Sequence, residues 1–297
     1  MYKVWKSALI AGALVFGVVA CGDSDNPPAD QNIVEVARAA GDFNTLVGAL
    51  EATGLDETLS GEGPFTVFAP TDTAFALLPD GLVASLDAAT LTTVLTYHVV
   101  PGAVDAATVV TLDSAPTVEG SDIAIQVDNG GVVLDGRVQV VTTDIQASNG
   151  IIHVIDAVLI PGNSFPGTIV DTLAASPRFM QLVDAVVDAD LAGALSGDND
   201  GNGFTVLAPT NNAIDALGPV DLTLEELQEI LLYHVLGGEV PASVVVTLSS
   251  AETLQGSEIS IAVESGSVIL NGSIMVTWTD LMTTNGIIHV IDGVLLP

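Results

Sequence analysis

The sequence predicts an α+β fold built twice in tandem, and three observations predict it. One stretch occurs twice, as Asn149-Gly-Ile-Ile-His-Val-Ile-Asp-Ala-Val-Leu-Ile-Pro161 and as Asn285-Gly-Ile-Ile-His-Val-Ile-Asp-Gly-Val-Leu-Leu-Pro297. In each copy, apolar residues at helical spacing come first and short strand-like runs between Asn-Gly and Asp-Gly turns follow, which separates helices from a strand meander. Positions also recur at a fixed offset of 136 residues, Ile33 with Ile169, Phe43 with Phe179 and Leu46 with Leu182, as a duplication requires.

Length and charge bound the function. A chain of 297 residues has room for about two domains. With 49% hydrophobic and only 14% charged residues, it has the apolar material for a core in each. Five Lys and Arg stand against 37 Asp and Glu, giving a formal charge of -32. Such a surface repels phosphate backbones and anionic headgroups, so nucleic-acid binding and lipid-surface binding are excluded as expectations. It favours solubility and tolerance of salt, where screening relieves self-repulsion. The single cysteine, Cys21, precludes an internal disulfide.

Residues 1 to 20 open with Lys3 and Lys6, continue through an uncharged run from Ala8 to Ala20, and so have the layout of a secretory signal. Val18-Val19-Ala20-Cys21 resembles the bacterial lipobox, which implies cleavage before Cys21 and a diacylglycerol on its thiol. Gly22 after the cysteine resembles cargo of the outer membrane. Residues 21 to 31, polar and carrying Pro27-Pro28, read as a tether.

The first domain is expected over residues 32–161 and the second over 165–297. Asn32 reads as a helix N-cap with Glu35 three residues on, and Thr168 with Asp171 repeats the pattern. Phe65 to Ala69 reads as a short strand before Pro70, and Thr71 or Asp72 as the cap of a helix turning Ala74, Phe75 and Leu78 inward. Here the offset widens to 139, because Ser196 to Gly203 is longer than Ser60 to Pro64; a later shortening restores 136, so that Tyr97-His98 falls on Tyr233-His234. Strands are expected over Ile123–Val127, Val132–Asp135, Val138–Asp144 and Ile151–Ile160. In the last, Ile151, Ile155 and Leu159 alternate with Ile152, Val154 and Val158, so it is expected to be buried on both faces.

With these blocks in place, Phe65-Thr-Val-Phe-Ala-Pro-Thr-Asp-Thr-Ala-Phe75 resembles the first signature of fasciclin domains. Leu95-Thr-Tyr-His-Val-Val-Pro101 resembles their central Tyr-His motif, and Asn149 to Asp156 their second signature; all three recur in order within residues 204 to 292. The resemblance implies two fasciclin domains, each a twisted β-wedge with helices packed around it. It also implies an association with cell adhesion and extracellular-matrix contacts, and for bacterial members secretion or surface anchoring. In animal adhesion proteins of the family an Asp-Ile dipeptide before the second signature is implicated in integrin binding, and Asp144-Ile145 and Asp280-Leu281 stand in that place. Their flanks, Thr142-Thr143 and Thr277-Trp278-Thr279, depart from the animal motifs, so the surface is carried over and the receptor is not. The candidate adhesion surface is therefore Asp144, Ile145, Asp280 and Leu281 with Tyr97, His98, Tyr233 and His234. The competing reading is that Ile145 and Leu281 pack at the end of a strand.

Four histidines, His98, His153, His234 and His289, all fall in the repeated motifs, two per copy. Too few ligands accompany them for a closed zinc site, and a histidine inside Ile-Ile-His-Val-Ile reads as a core residue bonded to backbone. Asp198, Asp200 and Asn202 match the first half of a calcium loop, but Pro209 occupies the twelfth position where a bidentate Glu belongs. The cofactor expectation is none, with weak calcium as the exception. No Gly-x-Ser-x-Gly elbow and no Gly-Lys-Ser/Thr loop is present, so the expectation is a binding protein and not an enzyme. Its expected partners are extracellular matrix, polysaccharide or a cell-surface protein, with the membrane reached only through the lipid. The alternatives are a structural envelope component without a ligand, or a carrier of a small apolar ligand, which requires an apolar cavity in at least one domain.

Overall fold

The computed structural model describes residues 30–79, 82–163 and 165–297. The expected signal segment, the lipid site Cys21 and all but the end of the tether lie outside the described residues.

The first copy runs α1 (Ile33–Ala40), α2 (Asn44–Thr53), α3 (Leu55–Leu59), β1 (Phe65–Pro70), α4 (Asp72–Ala76), α5 (Leu82–Ser85), α6 (Ala88–Tyr97), β2 (Val99–Pro101), α7 (Ala106–Val109), β3 (Ser114–Pro116), β4 (Asp122–Asp128), β5 (Gly131–Leu134), β6 (Val138–Ala147) and β7 (Gly150–Ile155). The second runs α8 (Ile169–Ala174), α9 (Met180–Asp188), α10 (Ala192–Leu195), β8 (Phe204–Pro209), α11 (Asn211–Leu217), α12 (Leu224–Tyr233), β9 (Val235–Gly237), α13 (Ala242–Val245), β10 (Ser250–Glu252), β11 (Glu258–Glu264), β12 (Ser267–Leu270), β13 (Ile274–Thr283) and β14 (Gly286–Ile291). Both copies are α+β modules. Each opens on a capping box, Asn32 with Glu35 and Thr168 with Asp171, which satisfies helix N–H groups that would otherwise be orphaned.

Each module holds one seven-stranded sheet in the same order, β2-β1-β7-β6-β5-β4-β3 and its counterpart β9-β8-β14-β13-β12-β11-β10. From β3 to β7 the strands form an antiparallel meander, while β1 and β7 pair in parallel from Phe65 opposite Gly150 to Pro70 opposite Ile155. The sheet is therefore mixed, and the signature strands of the sequence lie side by side, second and third from one edge. Gly150 is required there, because a Cβ would collide with the Phe65 carbonyl oxygen; Gly286 meets Phe204 in the same way.

Strand β7 is buried along its whole length, as its two apolar faces predict. Ile152 and Val154 enter a core with the helices α1, α2 and α6, and Ile155 enters a second core formed by the meander. The strand ends at Ile155 and not at Ile160. Beyond it the backbone bonds to side chains in place of a ladder: Leu159 N donates to His98 Nε2 at 3.0 Å, and Val158 O accepts from Arg137 Nη2 at 2.6 Å.

The modules meet at the turn Asp135-Gly136-Arg137. Arg178 donates to Gly136 O at 2.8 Å and to Asp128 Oδ2 at 2.6 Å, and Ser176 Oγ donates to Arg137 O at 2.5 Å. The Trp278 ring packs against Gly136, leaving no room for a Cβ. The guanidinium of Arg137 sits 5.5 Å from the centre of the Phe165 ring.

Candidate functional site

Strand β6 breaks register twice, between Val140 and Thr142 and between Thr142 and Ile145, and Asp144 sits in the bulge at φ 60°. Two hydrogen bonds hold this left-handed residue, and a third fixes the histidine that makes one of them. Its N–H donates to His153 Nδ1 at 3.3 Å, and its Oδ1 accepts the N–H of Ala106, the first residue of α7, at 2.9 Å. His153 Nε2 lies 2.9 Å from Val104 O. Since Nδ1 accepts, Nε2 must carry the proton, and the imidazole is neutral. The second module repeats every part: Asp280 at φ 59°, its N–H to His289 Nδ1 at 3.2 Å, its Oδ1 to Ala242 N at 2.9 Å, and His289 Nε2 to Val240 O at 2.9 Å.

The Tyr-His pairs belong elsewhere. Tyr97 and His98 are 2% and 1% exposed, and Tyr233 and His234 4% and 3%, which removes all four from the candidate surface. His98 shares its Nδ1 proton with Val94 O at 2.7 Å and accepts from Leu159; His234 does the same with Ile230 O and Leu295 N. Burial holds both histidines down to about 4, so they stay neutral in ordinary solution. The Tyr97 hydroxyl lies 3.0 Å from Asp135 Oδ2, and burial foremost, with that carboxylate second, pushes its pKa up and keeps it protonated. These pairs tie helix ends to the strands that follow, because a hydroxyl and an imidazole can be buried only when bonded. Leu281, at 3% exposure, belongs to the helical core of its module, and Ile145 packs against that of its own.

What remains outside is a short strip. Val141, Thr142, Thr143 and Asp144 are consecutive and all exposed, Val141 by 54%. The matching Thr277, Trp278, Thr279 and Asp280 are half-buried. Module docking covers them: Trp278 packs on Gly136, and Thr277 O accepts from Gln126 Nε2 at 2.9 Å.

Asp198, Asp200 and Asn202 fall in one exposed turn that closes on its own backbone, with Asp198 O accepting from Gly201 N and Gly203 N. Pro209 ends β8, so that position supplies no carboxylate. Among the described residues no group of three His, Cys, Asp or Glu side chains could hold a metal ion, and no helix is long and apolar enough to cross a membrane.

Sequence reasoning missed the charged groups at the module junction. Burial raises Asp156 to about 6, raises Asp135 and lowers Arg137 to about 10. The available signal was that Arg137 and Arg178 occupy positions where the other copy has Ser273 and Asp42.

The family model described as the fasciclin domain matches residues 41–161 and 177–297. Protein sll1483 of Synechocystis sp. is 48% identical over 133 residues, covering 43% of this chain and 73% of that protein. Transforming growth factor-beta-induced protein ig-h3 of Sus scrofa is 27% identical over 317 residues, covering 99% of this chain and 45% of its own. The chain thus spans less than half of ig-h3. Among solved structures, a FAS1 domain pair from the insect cell adhesion molecule fasciclin I aligns with a TM-score of 0.47 at 21% identity, covering 87% of this chain and 98% of that one.

Proposed function

The chain belongs to the fasciclin domain family, and from that premise we propose that it is a surface-anchored binding protein whose modules contact extracellular matrix, polysaccharide or other cells. The family's association with adhesion and matrix contacts supports the coarse role. In this reading Cys21 carries the lipid, residues 21 to 31 are the tether, and the modules run 32–161 and 165–297. The starts precede the matched segments because α1 and α8 each pack into their module's core.

One observation carries the choice of surface: the strip Val141 to Asp144 is exposed and also fixed, by a bulge whose aspartate accepts the Ala106 N–H at the start of α7 and whose backbone is held by His153. A pre-ordered strip loses little entropy when a partner binds it. The first module is then the main contact, with the second module's strip partly covered at the junction.

The test is binding of the full chain to a panel of matrix polysaccharides and cell surfaces, with and without calcium. Saturable binding that survives high salt is expected, weakened about tenfold or more by Val141→Glu with Thr142→Glu, a loss on the scale of one central contact. These substitutions spare Asp144, whose loss would also leave the Ala106 N–H at the start of α7 without its acceptor, although Asp105 remains the cap of that helix. Absence of saturable binding across the panel would sink the adhesion reading in favour of a structural component, and dependence on calcium would bring Asp198, Asp200 and Asn202 into the site.

A further inference from the structure

Between α4 and α6 of the first module lies an apolar cleft of about 220 Å3. Phe75 and Leu78 close one side, Leu82 and Val83 of α5 another, and Leu91 and Val94 of α6 a third. The corresponding space in the second module, under Ile214 and Leu217, is about 30 Å3. Chain length explains the difference. Seven residues lie between Leu78 and Leu86, whereas four lie between Leu217 and Leu222, and the three extra residues are what restores the 136-residue offset. In the first module they build α5, which stands as a wall. In the second, no counterpart of α5 occurs among the described residues, and Leu222 packs directly on the helical core.

We propose that this cleft is a binding site for a small neutral lipophile, a single aromatic ring or short alkyl group, and that the second module has none. Size sets the class: a dry cavity of about 150 Å3 takes up benzene, whereas one near 30 Å3 has room for little more than water. Chemistry sets the charge. Among the described residues, no ionisable side chain lines the cleft except His98, whose two ring nitrogens are both bonded to backbone. The Thr93 hydroxyl is taken up by Ala89 O at 3.1 Å. At the rim, Asp87 caps α6 through Thr90 N, and the chain as a whole carries -32 charges. A carboxylate ligand would enter with no cation to meet it and a negative field against it, so fatty-acid anions are disfavoured and neutral molecules admitted. A cleft of this volume is too small for a protein segment of more than one side chain.

Calorimetric titration of the full chain with n-butylbenzene, and separately with 4-butylbenzoate, tests the site. The expected result is one saturable n-butylbenzene site per chain, with the anion bound at least tenfold more weakly. Val83→Trp, which puts an indole into the cleft, and Thr90→Trp, at its exposed rim, are each expected to weaken n-butylbenzene at least tenfold while circular dichroism stays unchanged. If Val83→Trp loses its fold, the rim variant alone decides. No saturable heat, two sites per chain, equal binding of the anion, or binding indifferent to a folded variant would each overturn the proposal. The Val141→Glu, Thr142→Glu chain is expected to bind n-butylbenzene normally, so failure here and failure of the adhesion surface are separable.

Discussion

At the scale of single residues, the molecule is governed by buried groups that must keep one protonation state. His98 and His234 each accept a backbone N–H on Nε2, and a proton there would both charge a buried ring and break the bond. Their folded pKa of about 4 lies below the ordinary 6.5, so the unfolded chain binds more protons between those values and stability is lost as pH falls through the window. Asp156 works in the opposite sense. Burial raises it to about 6 from 3.8, so its contribution is fully present below 3.8 and is lost as pH rises through 6. Each shift corresponds to roughly 3 kcal/mol, so two histidines outweigh one aspartate and the chain is expected to lose about 3 kcal/mol net on going from pH 7 to pH 4 from these three groups. Asp156→Asn isolates the opposing arm. Its amide oxygen can still accept from Gln139 N, while the buried charge is gone. The variant is expected to be more stable than the parent by about 1–3 kcal/mol at pH 7.5 and equal to it at pH 3.5, as read from urea unfolding. An equal difference at both pH values would mean that Asp156 acts through packing and not through its charge. Sequence alone assigned the histidines to backbone bonding because they interrupt apolar runs. It could not show that the Tyr-His pair is buried, since burial there depends on Asp135 and Asp122, which reach Tyr97 from the turn after β5 and from β4.

At the scale of elements, comparing the two copies position by position is a built-in control on packing. Phe68 on β1 stacks on His153 with ring centres 5.5 Å apart, but the matching residue of β8 is Leu207. The second module has an apolar cavity of about 20 Å3 at that place, bordered by Leu207, Val268 and His289. At roughly 24 cal/mol per Å3, such a void costs about 0.5 kcal/mol. Leu207→Phe is therefore expected to stabilise the chain by about 0.5–1 kcal/mol, the upper figure including ring stacking on His289, with an unchanged denaturant slope. Destabilisation would show that β8 and β14 cannot spread to admit the ring, an overpacking effect. The elements most legible in the sequence were those with a local signal: the capped helices α1 and α8, the Asn-Gly turns, and the doubly apolar β7. The parallel pairing of β1 with β7 was not legible, because a strand's own pattern gives its faces and not its neighbour. The bulge at Asp144 was also hidden, since its left-handed backbone is imposed by α7 and His153 rather than by adjacent residues.

At the scale of the whole molecule, the duplication was plain in the repeated motifs, while the joint is written in the places where the copies differ. Arg137, Arg178 and Trp278 stand where the other copy has Ser273, Asp42 and Thr142. No motif marks such positions, because they are defined only by docking. Two of the three arginines beyond the N-terminal segment are spent on this joint, in a chain with 37 acidic residues. Arg178 is the piece whose loss tells most. Its side chain is 9% exposed, against 38% for Asp128, so the pair is shielded from salt far better than the open Arg38–Glu51 pair. Arg178→Ala removes that pair and the bond to Gly136 O, and leaves Asp128 without its cation. Its cost to module coupling is expected to be about 2–4 kcal/mol. Because each module keeps its own cores, the loss should appear as independence rather than collapse: calorimetry is expected to resolve two unfolding transitions where the parent shows one, and small-angle scattering to show a broader distribution of module separations. The same variant should leave the strip Val141 to Asp144 intact while freeing Thr277 to Asp280. If those strips are the contact surfaces, it gains binding through the second module even as it loses rigidity. A single transition together with unchanged scattering would mean that the Trp278 contact on Gly136 suffices to hold the modules, and that the arginine is dispensable to their geometry.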